Sequence, residues 1–372
     1  EVVKLLFANV SIDDAWLVLS WNLIRQLLPL SSGRLMAKAN NDDFRDTCFR
    51  TVLGIMEMAV MSSYIRRLVP PAVLSSATAM AVNLKAVLRD KLLSARWMEG
   101  WMQSNGINKA SNMGLVVGYP KDADTVAQRE AFYADFPDVG TKFFSTWLES
   151  HRLIKQRLFR KDTVNFSTGE ANAFYQPITN TMTIEAGIVQ PPLFFEHGTA
   201  ALSYGGLGQV VGHEMMHGYD VNGILLDALG SRILDTDSLS AQQYQLRVLC
   251  LRQAYKQVES ERAMVLVDDK VDSEGFADFT GLQLAYSAYR RLQPRERLAV
   301  VPDVGLTAEQ TFFVAHCLKW CDLIAKRQPT SRYWPGRSRC IVPLRNMPEF
   351  AAAFSCSKGA PMNPNSKCSF WK

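Results

Sequence analysis

The chain has 372 residues, 48% of them hydrophobic and 21% charged, the composition of a folded protein with room for two ordinary domains or one large one. Its net charge of +5 is modest and its lysines and arginines are scattered, so we expect no nucleic-acid partner. No uninterrupted apolar stretch reaches the roughly eighteen residues that a transmembrane span needs, so the sequence predicts none.

The first third of the chain predicts long helices followed by a linker. Apolar residues recur at spacings of three and four over residues 48–69 and 79–102, and Pro70-Pro71 separates the two runs. Residues 105–124 are rich in glycine, asparagine and proline, which predicts an irregular connection.

The pattern changes after this linker. Apolar and polar residues alternate over residues 181–188, which predicts a strand that ends before Pro191-Pro192. Helical spacing then resumes in three segments, residues 207–219, 271–291 and 308–325. The predicted fold class is therefore mainly α with a small β element.

The strongest chemical motif lies in the segment VVGHEMMHGYD, residues 210–220. His213 and His217 are four residues apart, so on a helix both imidazoles face one point, as a zinc clamp requires. Glu214 lies where it can take a proton from a water that zinc acidifies. The alternative is a surface helix in which this sequence motif occurs by chance. The apolar residues before the motif favour a helix that enters a core, where an unliganded histidine pair is costly.

A third ligand is expected in the segment 271–289, where Glu274 and Asp278 also lie four apart. Glu274 can bind the metal while Asp278 accepts a hydrogen bond from a ligating histidine and fixes its tautomer. The alternative is that both are solvated acids at a helix start, favoured by the helix dipole. Asp272 fits that second role better, because Glu274 and Asp278 lie on an otherwise apolar helix.

Cysteines and glycosylation sequons point to an oxidising compartment. The seven cysteines are widely spaced and include no C-x-x-C pair, and an odd number leaves at least one without a partner in this chain. Asn9 and Asn165 each begin an N-x-S sequon, as in a secreted glycoprotein.

Four segments carry a resemblance to a known family: NAFYQPITNTMTIEAGIVQPPLFF, YGGLGQVVGHEMMHGYD, EGFADFTGLQLAYSAY and PEFAAAFSCSKGAPMNPNSKCSFW. In this order they resemble the neprilysin and endothelin-converting-enzyme family of zinc endopeptidases, and the match begins near residue 18. The resemblance implies one zinc ion per chain and hydrolysis of small extracellular peptides on the amino side of hydrophobic residues. It also implies a location at the cell surface or in the extracellular space, as a type II membrane ectodomain or a secreted protein.

The same resemblance implies a domain plan. It assigns residues 126–372 to a thermolysin-like zincin catalytic domain, and residues 1–125 to the C-terminal part of a helical cap domain and a linker. The chain then corresponds to the C-terminal half or so of the family's ectodomain. Any membrane anchor and most of the cap would belong to a preceding part.

Individual roles follow from the resemblance, position by position. It makes His213, His217 and Glu274 the zinc ligands, with Glu214 as general base and Asp278 as the residue that orients a ligand. Substrate binding is assigned to two backbone-holding residues, Asn172 and Ala173, to four pocket residues, Ile188, Leu193, Val210 and Trp320, and to Arg339, which would bind a substrate carbonyl. The alternative for each pocket residue is an ordinary place in the hydrophobic core.

The resemblance also pairs Cys250 with Cys368. It matches Cys48, Cys321 and Cys356 to family cysteines whose partners lie upstream of Glu1. Cys317 and Cys340 have no counterpart in the family pattern.

One position departs from the family. Where the family has a histidine that donates to the oxyanion, just before Pro335-Gly336, this chain has Tyr333. A phenol can also donate a hydrogen bond, so the favoured interpretation is an active zinc endopeptidase, with reduced activity if Tyr333 replaces the histidine only in part. The alternative is a catalytically impaired member that binds peptides or proteins with zinc in place. A merely structural zinc site is a third possibility, but such sites have a fourth protein ligand, and none is evident.

Overall fold

The computed structural model describes residues 10–40, 44–118, 125–158, 170–233, 238–259, 269–321 and 333–372. Three short strands lie within these ranges, β1 (Gly114–Gly118), β2 (Ala173–Gln176) and β3 (Thr181–Glu185). The helices are α1 (Ile12–Leu27), α2 (Gly33–Asn40), α3 (Phe44–Leu68), α4 (Pro71–Ser94), α5 (Gly100–Asn112), α6 (Val126–Tyr133), α7 (Phe143–Leu158), α8 (Ala200–Ser203), α9 (Gln209–His217), α10 (Leu239–Glu259), α11 (Asp269–Arg290), α12 (Pro294–Arg297), α13 (Ala308–Leu318), α14 (Gly336–Arg345) and α15 (Pro348–Ala353). The prediction of a mainly helical chain with a small β element is confirmed.

The chain divides into two compact units. The first contains the described residues up to Tyr64 together with 125–158, and the second contains 65–118 and the described residues from 170 onward. The domain plan that the family resemblance implies has its boundary at residue 125, with 65–118 in the cap portion, and it stays a prediction. The contacts place that segment with the zinc motif, because α4 and β1 pack into the core around it.

The regular secondary structure of the first unit is helical in its described residues. Its helix α6 begins with a capping box, in which Thr125 and Gln128 satisfy each other's backbone N–H groups. Arg157 of α7 lies over the rings of Phe132 and Phe136, at 4.3 and 5.2 Å from their centroids. These cation–π contacts fix α7 against the end of α6.

The second unit is organised around α4 and a three-stranded sheet. Helix α4 begins at Pro71, where proline's missing N–H costs nothing, and buries nine residues. In the sheet β3 lies in the centre, parallel to β1 and antiparallel to β2. All five residues of β3 are buried, so its alternating sequence is covered on both faces. Strand β2 lies at the sheet edge and packs against α9.

The predicted linker at residues 105–124 was wrong for its described part. Helix α5 continues to Asn112 and β1 follows directly. Gly106 belongs to the helix because it lies against Leu92 and Tyr219, and the Tyr219 hydroxyl donates to the Gly106 carbonyl at 2.9 Å. The small residues that predicted a loop therefore allow neighbouring side chains to pack closely against α5.

Two helices, Arg45–Leu68 and Pro71–Ser94, are long and apolar enough to cross a membrane by length and composition alone, although the sequence predicted no span. The second is α4, and 44% of its most apolar window is buried inside the second unit. Core helices of folded domains pass the same test, and the nine buried residues of α4 place it in that class.

Two disulfides are present. Cys250 on α10 is bonded to Cys368, as the family resemblance implied, and Cys317 on α13 is bonded to Cys340 on α14. The second bond gives a partner to each of the two cysteines that the family pattern left unassigned. Cys48, Cys321 and Cys356 are in no disulfide among the described residues.

We expect peptide mapping of the secreted protein under non-reducing conditions to recover Cys250 and Cys368 in one cross-linked fragment. The bond closes a loop of 118 residues and ties the end of the chain to α10. Loss of such a bond typically costs a secreted domain about 2–5 kcal/mol. Recovery of both residues as free thiols would contradict the pairing.

Candidate metal centre and active site

The two helices that carry the predicted ligands touch through their backbones. A Cβ built on Gly212 of α9 would stand 2.4 Å from the carbonyl oxygen of Gly281 on α11. A Cβ on Gly281 would stand 2.5 Å from the backbone nitrogen of His213. Only glycine allows this approach, and it brings the α9 histidines to the face of α11 that carries Glu274.

Three ligand atoms converge at this crossing. The Nε2 atoms of His213 and His217 are 3.0 Å apart. The Glu274 Oε2 atom lies 3.2 Å from His213 Nε2 and 3.8 Å from His217 Nε2. Bonds of about 2.0–2.2 Å in a tetrahedral arrangement place ligand atoms slightly more than 3 Å apart, so these three positions fit one zinc ion.

The other ring nitrogens of both histidines face carboxylates. His213 Nδ1 lies 2.9 Å from Asp278 Oδ1, and His217 Nδ1 lies 2.8 Å from Asp220 Oδ2. A carboxylate holds the proton on Nδ1, which leaves the Nε2 lone pair available. Two such lone pairs and a carboxylate oxygen then point at one place, a donor set that suits a zinc ion.

Neighbouring groups shift the pKa values of His213 and Glu274 so that the charged form of each side chain is favoured. Burial lowers the pKa of His213, but hydrogen bonds to Asp278 and Glu274 outweigh it and raise that pKa to about 10. Burial raises the pKa of Glu274, yet His213 and His217 bring it below its ordinary value. The Glu274 carboxylate therefore stays ionised and favours positive charge at His213.

Glu214 lies at the same centre. A carboxylate oxygen of Glu214 is within 4.8 Å of a ring nitrogen of both His213 and His217, and its side chain is 7% exposed. It follows His213 directly, so on α9 it cannot share the ligand face and lies beside it. A buried carboxylate in this place can exchange a proton with a water at the metal.

Asp278 is held by a buried ion pair as well as by His213. Arg339 donates from Nε to Asp278 Oδ2 at 2.6 Å and from a terminal nitrogen to Oδ1 at 2.8 Å. Burial raises the pKa of Asp278, but Arg339 and His213 outweigh burial and hold that pKa well below its usual range. Asp278 thus contacts His213 as an orienting residue would, and its role stays a prediction.

The Arg339 guanidinium lies close to two aromatic rings. Its Cζ atom lies 4.0 Å from the centroid of the Trp320 ring and 4.6 Å from that of the Tyr333 ring. The neighbouring Trp334 is 2% exposed and stacks on Tyr255 at 5.0 Å, so it belongs to the core. Tyr333 therefore packs on the arginine of the Asp278 ion pair, in the vicinity of the metal centre.

Sequence reasoning missed Asp220. Its Oδ2 contacts His217 and accepts from the Ser273 hydroxyl, while its Oδ1 accepts from the backbone N–H groups of Asn222 and Gly223 at 2.9 and 2.7 Å. Burial raises the pKa of Asp220, but His217 and these donors lower it below its ordinary value. The aspartate three residues after His217 was the available signal. Each of the two predicted ligand histidines thus has its own carboxylate.

We expect Asp220→Ala to weaken zinc binding by about 10- to 100-fold, the usual effect of removing a carboxylate that orients a ligating histidine. Competition with a chelator of known affinity measures the change. Asp227→Ala is the matched control, because Asp227 lies in the same loop and its carboxylate accepts from the Leu229 and Ser231 N–H groups, away from His217. Equal zinc affinity in the two variants would exclude a role for Asp220.

Three of the predicted substrate residues lie at the start of β2 or of α9: Asn172, Ala173 and Val210. Asn172 accepts from the Glu185 N–H at the start of the edge strand, and Ala173 pairs with Ile184. Of the four predicted pocket residues, Ile188 is 8% exposed, as the core alternative expects. The other three are partly exposed: Leu193, Val210 and Trp320. Their roles stay predictions.

Comparisons with known proteins agree with this geometry. A family model described as Peptidase family M13 matches residues 172–370, and a second with the same description matches residues 2–120. Membrane metallo-endopeptidase-like 1 of Mus musculus is 30% identical over 352 residues, which are 87% of this chain and 45% of that protein. Endothelin-converting enzyme 1 of Mus musculus is 27% identical over 308 residues, 79% of this chain and 40% of that protein. The chain thus spans about half the length of the curated relatives it matches.

Solved structures show the same fold. Zinc metalloprotease ZMP1 of Mycobacterium tuberculosis, in complex with an inhibitor, matches with a TM-score of 0.74 at 23% identity, over 100% of this chain and 60% of that chain. PEPO of Lactobacillus rhamnosis matches with a TM-score of 0.70 at 22% identity, over 89% of this chain and 52% of that chain. The predicted zincin-like fold class is confirmed.

Proposed function

We propose that this chain, which belongs to peptidase family M13, is the catalytic part of a zinc-dependent endopeptidase that hydrolyses small extracellular peptides. The observation that supports it best is the convergence of His213, His217 and Glu274 on one point, with Glu214 beside them. Two disulfides and relatives named as membrane endopeptidases support a place at the cell surface or in the extracellular space.

Each of these residues has a chemical task in this proposal. Zinc, when bound by His213, His217 and Glu274, would supply a Lewis acid and lower the pKa of water. Glu214 takes a proton from the attacking water and later gives it to the departing amine. Asp278 and Asp220 keep the imidazoles in the ligating tautomer. A structural zinc site gains no support, because it has no use for Glu214.

Substrate is held along the sheet edge. An extended peptide adds beside β2, with Asn172 and the Ala173 backbone as its partners, because an edge strand presents hydrogen-bonding groups to a new strand. Leu193, Val210 and Trp320 take the side chain after the scissile bond, which the family resemblance makes hydrophobic. Arg339, already paired with Asp278, has further N–H groups for the carbonyl of that residue.

Tyr333 is proposed to donate its hydroxyl to the oxyanion. We expect Tyr333→Phe to lower kcat by about 10- to 10³-fold with KM little changed, because such a bond strengthens in the transition state. Steady-state kinetics on one peptide measures this, and Tyr333→His is expected to restore or raise the rate. A Tyr333→Phe variant as fast as the parent would leave the hydroxyl without a catalytic role.

The test of the proposed function is a peptidase assay on the full-length protein that contains this chain. We expect cleavage of a fluorogenic peptide, its loss with a chelator and its return with added zinc. A zinc-loaded parent that is inert, together with an active Tyr333→His variant, would favour the alternative, a catalytically impaired zinc-loaded module that binds peptides or proteins. An inert protein with no zinc would contradict both functions.

A further inference from the structure

Lys319 is a cation that the proposed chemistry does not use. It follows the last residue of α13, directly before Trp320. Its Nζ atom lies 3.5 Å from the Gly205 carbonyl oxygen and 5.3 Å from the centroid of the Trp320 ring. No carboxylate of the described residues forms an ion pair with it. An ammonium has three N–H donors, and one carbonyl at this distance satisfies them poorly.

Lys109 is a buried lysine with a structural role, and its hydrogen bonds can be compared with those of Lys319. Its side chain is 1% exposed and donates to two carbonyl oxygens, of Gly223 at 2.7 Å and of Leu226 at 3.1 Å. Lys319, by contrast, is partly exposed, and its hydrogen bonding to the described residues is one long contact with the Gly205 carbonyl. Lys319 therefore has donors left for a group from outside.

The environment of Lys319 disfavours an uncompensated charge. Burial lowers the pKa of its ammonium to about 7, Asp278 raises it and Arg339 lowers it. Arg339 itself is neutralised by its two hydrogen bonds to Asp278. An anion beside Lys319 would offset the cost of its burial, and the nearby carboxylate is already occupied by Arg339 and His213.

The Lys319 ammonium lies next to the proposed side-chain pocket. Gly205, which it contacts, precedes Gly206 and Leu207, and Leu207 N–H donates to the Leu193 carbonyl at 2.8 Å. A Cβ on Gly206 would stand 2.4 Å from the same carbonyl, so this turn and the Leu193 backbone are in close contact. Trp320, another pocket residue, contacts Lys319 directly.

We propose that Lys319 makes this pocket select an acidic side chain, glutamate or aspartate, in the residue after the scissile bond. The methylene groups of that residue lie against Leu193, Val210 and Trp320, and its carboxylate accepts from the Lys319 ammonium. This inference rests on the proposed function and replaces the hydrophobic preference that the family resemblance implies at that position with an acidic one. A charge-assisted hydrogen bond supplies the selection, since glutamate and glutamine have the same shape.

The test compares three peptides that differ only after the scissile bond, where they carry Glu, Gln or Leu. Their dissociation constants are measured on the zinc-loaded full-length protein carrying Glu214→Gln, and their kcat/KM values on the parent. We expect the Glu peptide to bind and to be cleaved at least about tenfold better than the Gln peptide, the usual minimum for a hydrogen bond with a charged group.

Substitutions of Lys319 test whether this residue causes the preference for the Glu peptide. Lys319→Met keeps the apolar stem and is expected to abolish the difference between Glu and Gln peptides, while cleavage of the Leu peptide is retained. Lys319→Gln serves as a second variant that keeps a hydrogen-bond donor. Lys85→Met is the matched control, because Lys85 is also partly exposed and donates to a carbonyl, that of Met113 at 2.7 Å.

The outcomes distinguish this inference from the proposed function. Cleavage of the Leu peptide with no advantage for Glu over Gln, in binding or in rate, overturns the role of Lys319 and leaves the peptidase in place. Charge-selective binding without cleavage overturns the peptidase and keeps the role of Lys319. Neither binding nor cleavage of any peptide contradicts both.

Discussion

Glu274→Ala is expected to leave the purified protein without stoichiometric zinc. Two imidazole ligands alone hold zinc weakly, and Glu274 Oε2 is the third ligand atom, 3.2 Å from His213 Nε2. His213→Ala and His217→Ala are expected to have the same effect for the same reason. Elemental analysis of the dialysed protein measures the metal content per chain.

Asp272→Ala is the matched control for this loss. Asp272 is a second buried carboxylate on α11, and its ion pair is with Arg252 on α10. Its removal takes the same charge from the same helix without touching the metal centre. A Glu274→Ala protein that retains one zinc per chain would remove Glu274 from the ligand set.

Glu214→Gln is expected to keep zinc and to lose peptidase activity by about 10²- to 10⁴-fold, the usual contribution of a general base. Glutamine has the shape of glutamate but cannot take a proton, and Glu214 lies beside the ligands rather than among them. The kcat of the zinc-loaded variant measures the effect. Unchanged kcat would mean that another group activates the water.

The metal ligands could be predicted because helix geometry translates spacing directly into position. His213 and His217 at a spacing of four share one face, and Glu274 with Asp278 share another, so two segments of sequence specify four side chains. That the two faces meet depends on the Gly212 and Gly281 crossing, which no local pattern encodes. The family resemblance supplied that step.

Asp220 could not be placed from spacing alone. It lies after the end of α9, where its position depends on the turn through Asn222 and Gly223 and on Ser273 from another helix. A local pattern does not fix such a turn. Asp220 is present in the sequence, but its contacts depend on the tertiary structure.

Residues 105–118 and the second disulfide were missed for related reasons. Small residues such as Gly106 indicate a loop by composition, yet here they allow close packing inside the second unit. Cys317 and Cys340 are 23 residues apart, and disulfide connectivity cannot be deduced from spacing. In both cases the deciding interaction joins elements that are distant along the chain.

The glycine crossing of α9 and α11 also determines how the metal centre can change during evolution or engineering. The separation between the histidines and Glu274 is set by main-chain atoms in contact, at Gly212 and Gly281, and not by side chains that can adopt other rotamers. Substitutions in the surrounding core are therefore expected to leave the distances between the histidines and Glu274 almost unchanged. A search for variants that prefer a larger cation would have to begin by adding a methyl group at one of these two glycines.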